Sequence, residues 1–241
     1  MCGIESVEER NDYTRYDEVA AVFSKEQTVQ KVLSIIAVIL FCLFGTAYGE
    51  DGKEKKKTDR VTEAAEWFFQ GHEALSSGDY DEAIKCYTHA KDSDPSFTNA
   101  YFFLGNAYLK KGMTDSAIYE YKKALALRPQ AAAVHAKLGS AYLQKGMLDE
   151  ASYASKKALA IDPNDALAHF TLGFIYNKKG NNAVADDHLY RAGMLYLNRG
   201  DVEGTVQAYE CLKKTNSKAL EHKLYEKIYP ELREKSTKPT E

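Results

Sequence analysis

Glycine recurs at residues 71, 105, 139 and 173, each 34 residues after the last. If units are numbered from residues 64, 98, 132 and 166, this glycine is position 8, and a second follows at position 15 as Gly78, Gly112, Gly146 and Gly180. Alanine holds position 20 (Ala83, Ala117, Ala151, Ala185) and position 27 (Ala90, Ala124, Ala158, Ala192), and proline closes three units as Pro95, Pro129 and Pro163. A register kept over four copies constrains the fold more than any composition does. Each copy is one supersecondary unit, and such units bury their apolar faces only by stacking.

Spacing inside the unit identifies the element. Positions 4, 7, 8 and 11 fall on one stripe of an α-helix, and positions 20, 24 and 27 on the matching stripe of a second. Glycine and alanine on those stripes let two helices approach closely. Glycine at position 15 permits the tight turn between them, and proline at position 32 stops the second helix. Asp79 and Glu82 have the spacing of a capping box. The expectation is all-α: antiparallel helix pairs stacked as a solenoid.

The pattern resembles the tetratricopeptide repeat family over units at about 64–97, 98–131, 132–165 and 166–199, within a repeat region of 62–199. Position 4 is Trp67, Tyr101, His135 and His169; position 7 is Leu104, Leu138 and Leu172, with Gln70 in the first unit. Position 11 is Tyr108, Tyr142 and Tyr176, with Ala74 in the first, and position 24 is Tyr87, Tyr121, Ser155 and Leu189. The resemblance implies a right-handed solenoid that binds protein or peptide partners. After Ala192 the register breaks, with Leu197 at the proline position, while Leu189, Gly193, Tyr196 and Gly200 restart the 4, 8, 11, 15 spacing early. One helix near 182–199 then serves two pairs, and helices near 202–213 and 216–229 complete an atypical fifth pair over 200–230. Leu220, Leu224 and Ile228 give the last helix a stripe that caps the stack, Pro230 ends it, and 231–241 is a disordered tail.

In this family the concave surface is lined by positions 2, 5, 6, 9, 12 and 13 of each first helix. Carried over, the peptide-binding groove comprises Phe68, His72, Asn99, Phe102, Phe103, Asn106, Lys110, Lys137, Ser140, Gln144, Phe170, Phe174, Asn177 and Lys178. The basic and asparagine clamp that some members use for a C-terminal carboxylate is mostly missing, its places being Phe68, His72, Asn106, Ala133 and Lys137. An aromatic groove suits an apolar or amphipathic segment instead. The competing reading is that phenylalanine at positions 5 and 6 packs between neighbouring helices, as large apolar residues usually do. Alanine at Phe102 or Phe170 separates the two, abolishing capture in the first case and the fold in the second.

No phosphate-binding loop, dinucleotide fingerprint, HExxH or GxSxG occurs, so no catalytic residue and no cofactor is expected. His135 and His169 share position 4 and raise the idea of a metal, but imidazole in place of the usual aromatic is the simpler reading. The cysteines, at 2, 42, 86 and 211, show no metal or redox spacing. From Glu50 onward Lys plus Arg equals Asp plus Glu, 28 of each, which gives no electrostatic attraction for nucleic acid. The expected function is a non-catalytic scaffold for an assembly at or beyond a bacterial inner membrane; the alternative is a chaperone or carrier for an exported client.

That location rests on residues 29–49, VQKVLSIIAVILFCLFGTAYG, which are uncharged from Val32 to Gly49. The run is apolar all round, short for a span, and ends in Ala47-Tyr48-Gly49, small at −3 and −1 as a cleavage site needs. A cleaved export signal is therefore expected, giving a periplasmic or secreted product. A single-pass inner-membrane anchor through 32–49 is the alternative, although Lys53 to Lys57 and Arg60 would then favour cytoplasmic repeats. Residues 50–61 read as a charged linker. Residues 1–28 are polar and unlike a targeting segment, so translation from Val29 is expected.

Overall fold

A computed structural model describes residues 52–215 and 217–236, so residues 1–49, with the apolar run and the extension before it, lie outside it. Among these described residues ten helices follow one another: α1 (Gly52–Ser76), α2 (Tyr80–Ser93), α3 (Thr98–Lys110), α4 (Thr114–Leu127), α5 (Ala132–Gln144), α6 (Leu148–Ile161), α7 (Ala166–Lys178), α8 (Asn182–Asn198), α9 (Val202–Lys213) and α10 (Lys218–Ser236). Among the described residues there is no strand. Consecutive helices pack as pairs, α1 with α2 through α7 with α8, and α5 also touches α7 across the repeat boundary. Among the described residues two large buried clusters run along the stack, one from Phe68 to Ile175 and one from Ala166 to Ile228, with Phe174 packed against both, and a small third joins Ala136, Ala158 and Ala168.

The period-34 residues explain the pairing. At Gly105 a Cβ would lie 2.5 Å from the Tyr121 ring, so α3 and α4 approach this closely only because position 8 has no side chain. Gly112 sits at φ +77°, where other residues are strained. The Gly112 N–H donates to the Leu109 carbonyl at 2.9 Å and the Met113 N–H to Tyr108 at 2.8 Å, which closes α3 with a Schellman motif. The Asp79 carboxylate accepts from the Glu82 N–H at 3.0 Å, but Glu82 pairs with Lys85 instead of returning to Asp79, so half the capping box forms. Salt bridges join repeats in register: Lys111 to Asp81, Lys145 to Asp115, and Lys179 to Asp149 at 2.7 Å.

The two ends depart from the sequence reading. The segment read as a charged linker, 50–61, is helical from Gly52 and continuous with the first repeat helix. Lysine and glutamate are good helix formers, and a helix already anchored by Ala64, Phe68 and Leu75 extends through them at little cost. The final helix runs through Pro230 to Ser236 rather than ending there. Proline removes one donor and crowds the preceding turn, which bends a helix without obliging it to stop. Leu224 and Ile228 are buried against α8 and α9, and Leu224 is what a Cβ on Gly193 would meet, at 2.7 Å. Because it sits over Gly193, α10 covers the last pair.

Candidate binding surfaces

Positions 5 and 6 are packing positions. Phe68, Phe102, Phe103 and Phe170 are all buried, the first two 8% exposed and the others 2%. Phe68 meets Phe97, just before α3, and Phe103 within it at ring-centroid distances of 5.1 and 5.3 Å, and Phe102 meets Tyr121 at 6.0 Å. They are not an aromatic groove lining. The reason is the stacking itself: first helices of successive repeats lie side by side, so residues off the intra-pair stripe are covered by an adjacent repeat, Phe68 by the following one and Phe103 by the preceding one. Lys137 and Ser140 are buried in α5 for the same cause, and His72 packs edge-on to Phe103 at 5.7 Å.

What remains accessible is narrower and more polar. In α3 it is Asn99, Asn106, Leu109 and Lys110; in α7 it is Phe174, Asn177 and Lys178. Between them α5 offers Ala133 at its start and Gln144 at its end, with Lys137, Ser140 and Leu143 buried in between, so two half-open rows flank a receding middle helix. The Asn106 side-chain oxygen is already engaged, accepting from the Tyr121 hydroxyl at 2.6 Å, and the Lys178 ammonium lies 5.5 Å from the Phe174 ring centroid.

Position 4 has a role that residue spacing did not reveal. Tyr101 donates its hydroxyl to the Pro95 carbonyl at 3.1 Å, and His135 Nε2 and His169 Nε2 lie 2.9 and 3.0 Å from the carbonyls of Pro129 and Pro163. Each is a donor closing the inter-repeat turn, so tyrosine and histidine are interchangeable there. His169 in turn has its Nδ1 2.9 Å from His188 Nδ1, and burial pushes both imidazoles below their usual pKa. Among the described residues no cluster of three or more His, Cys, Asp or Glu is placed to hold a metal ion. None of the described helices is long and apolar enough to cross a membrane.

On the other side of the first helices, neighbouring second helices leave grooves whose occupancy varies. Between α2 and α4 the groove is filled by Lys91 and Glu120, paired at 2.8 Å, with the ammonium 5.7 Å from the Tyr101 ring. Burial pulls Lys91 down, but Glu120 outweighs it and leaves its pKa raised. Between α6 and α8 it is filled by His188, stacked on Tyr176 at 5.7 Å and 11°. Between α4 and α6, where position 23 is Ala154, a cleft of about 510 Å³ stays open. The sequence signal for it was the single small residue at a position that is otherwise Cys86, Glu120 or His188.

Stacked, glycine-notched helix hairpins with an open face and no convergent reactive groups among the described residues define a helical-repeat interaction protein. A family model described as TPR repeat matches residues 71–112, 105–146 and 139–180, and the chain is a tetratricopeptide-repeat protein. The fold is similar to the crystal structure of MamA protein, with TM-score 0.55 and 21% identity, covering 74% of this chain and 96% of that one. It is likewise similar to PilF of Pseudomonas aeruginosa, with TM-score 0.60 and 20% identity over 71% of this chain and 78% of that one. The Cut9–Hcn1 hetero-tetramer of the APC/C matches with TM-score 0.61 and 19% identity, covering 71% of this chain and 35% of that one. No curated protein matches the chain in sequence.

Proposed function

We propose that the chain is a non-catalytic scaffold holding an amphipathic segment of a partner protein along the two half-open rows of α3 and α7. One observation carries this reading: with positions 5 and 6 consumed by packing, Asn106, Leu109 and Lys110 on one side and Phe174, Asn177 and Lys178 on the other remain at least partly accessible around a recessed α5. Leu109 and Phe174 supply apolar contact, asparagine amides can pair with a peptide backbone, and two lysines favour an acidic flank. The tetratricopeptide repeat is typically an interaction fold without catalysis, which supports the same reading.

A photo-crosslinking residue at Gln144 or Asn177 tests it in native cells. One defined protein captured there, and lost from Gln144 on Asn177→Ala with Phe174→Ser, is the expected result. Capture of many unrelated clients would favour the chaperone reading, and no capture at either site would overturn the proposal. We further propose that the scaffold works at or beyond an inner membrane, supported by the apolar run and Ala47-Tyr48-Gly49. Mass spectrometry of the native protein with an N-terminus at Glu50 supports export, and an N-terminus upstream of residue 29 removes the start at Val29.

A further inference from the structure

The cleft between α4 and α6 lies on the far side of α5 from the proposed peptide rows. At about 100° per residue, His135, Leu138 and Tyr142 point roughly opposite to Ser140 and Gln144. Its floor is Leu125, Leu138 and Ala154; its walls are His135, Tyr142 and Tyr153; Lys122, Asp149 and Glu150 stand at the rim. The volume, about 510 Å³, is within the range of sites that enclose a ligand or an anchoring side chain.

The next groove along shows what this architecture holds. There position 4 is His169, position 11 is Tyr176, and the ring of His188 enters from position 23. That ring stacks on Tyr176 at 11° and meets His169 Nδ1 at 2.9 Å, while Lys156 lies 5.9 Å from the Tyr176 ring centroid. His169 Nε2 donates to Pro163, so its Nδ1 accepts, and the occupant must bring an N–H. The open cleft repeats the histidine, the tyrosine and the lysine, while Tyr153 stands where the neighbouring unit has Asp187. His135 Nε2 donates to Pro129 at 2.9 Å, which leaves Nδ1 as an acceptor, and Lys122 stands 5.6 Å from the Tyr142 ring. Only the occupant is missing, because position 23 is Ala154.

We infer that this cleft is a second binding site, which takes a neutral planar ring carrying an N–H donor, the indole of a tryptophan in a partner protein. Three features choose indole over other rings. Lys122 already sits on Tyr142, as Lys156 does on Tyr176, so a second cation is disfavoured and a neutral ring is preferred. The aliphatic floor and the room exceed what an imidazole uses. Tyr153, 66% exposed at the mouth, extends the aromatic wall outward to where a partner's backbone would run. Glu150, on the same rim, forms no ion pair among the described residues and suits a basic residue beside the tryptophan. The site is independent of the α3 and α7 rows, so either can fail without the other.

The probe is the peptide acetyl-Lys-Trp-Gly-amide, titrated into the full chain and followed by calorimetry and by ring 15N shifts of the histidines. Saturable binding with a shift at His135 Nδ1 is expected. Ala154→His, which rebuilds the neighbouring groove from within, should abolish binding without lowering Tm. His135→Tyr keeps a donor to Pro129, as Tyr101 does for Pro95, but loses the acceptor; affinity should fall about tenfold. A peptide with 1-methyltryptophan should lose a similar factor. Unchanged binding in Ala154→His, equal binding of the methylated peptide, or shifts confined to histidines other than His135 would each overturn the assignment, as would no binding at millimolar peptide.

Discussion

Gly105→Ala is the sharpest test of why the helix pairs form. The new methyl would lie 2.5 Å from Tyr121 Cε1, 2.7 Å from Cδ1 and 3.0 Å from Cζ, almost 1 Å inside ordinary contact. The Tyr121 ring has nowhere to retreat: it is fully buried, held at its hydroxyl by Asn106 at 2.6 Å, and flanked by Phe102. Alanine gains about 1 kcal/mol of helix propensity over glycine. Overpacking a rigid core costs about 1–3 kcal/mol, and an overlap of this size belongs at the upper end. The net is a loss of about 2 kcal/mol, or a Tm lowered by about 4–8 °C in a chain of this size. Urea unfolding of the double-mutant cycle with Tyr121→Ala isolates the cause. With the ring gone, alanine at 105 should become neutral or stabilising, a coupling of about 2–3 kcal/mol. A Gly105→Ala variant that melts at or above the parent, or that costs the same in both backgrounds, would refute the close-approach account.

Phe170→Ala should destabilise by about 3–5 kcal/mol, as should Phe102→Ala, read by urea unfolding; near-parental stability would return these rings to the binding face. Leu224→Ala should cost about 2–5 kcal/mol and raise amide exchange first in α8 and α9, since α10 covers the stack by that side chain; uniform loss along all repeats would contradict its capping role. Burial lowers the folded pKa of His169 and His188 below the unfolded value of about 6.5, so the neutral pair contributes stability fully above that pH and loses it as the pH falls through it toward the folded values. Melting between pH 8 and pH 5 should therefore show an acid slope that His169→Tyr, which retains a donor to Pro163, reduces; an unaltered slope, or ring titration of His169 above 6.5, would disprove the buried neutral pair.

The sequence by itself determined the unit and its length. Gly105, Gly112, Ala117 and Pro129 recur at period 34 because each meets a local backbone demand: a close crossing, a left-handed turn, a small contact, a helix stop. Such demands are met within a few residues, so spacing displays them. The doubled use of α8, legible in Gly193 and Gly200, belongs to the same class. What only the tertiary structure decided is which side of each helix the next repeat covers. Phe103 looks like a free aromatic when one hairpin is considered, and becomes core once Phe68 and His72 of the neighbouring first helix lie against it. Position 4 likewise reads as a packing aromatic until the fold brings the preceding proline's carbonyl within hydrogen-bond reach of it. The open cleft depends on three segments at once, α4, α5 and α6, and on Ala154 being smaller than its counterparts in the adjoining grooves. Burial is a property of the assembled stack, where the neighbours are 34 residues away, and no pattern within a single unit records it.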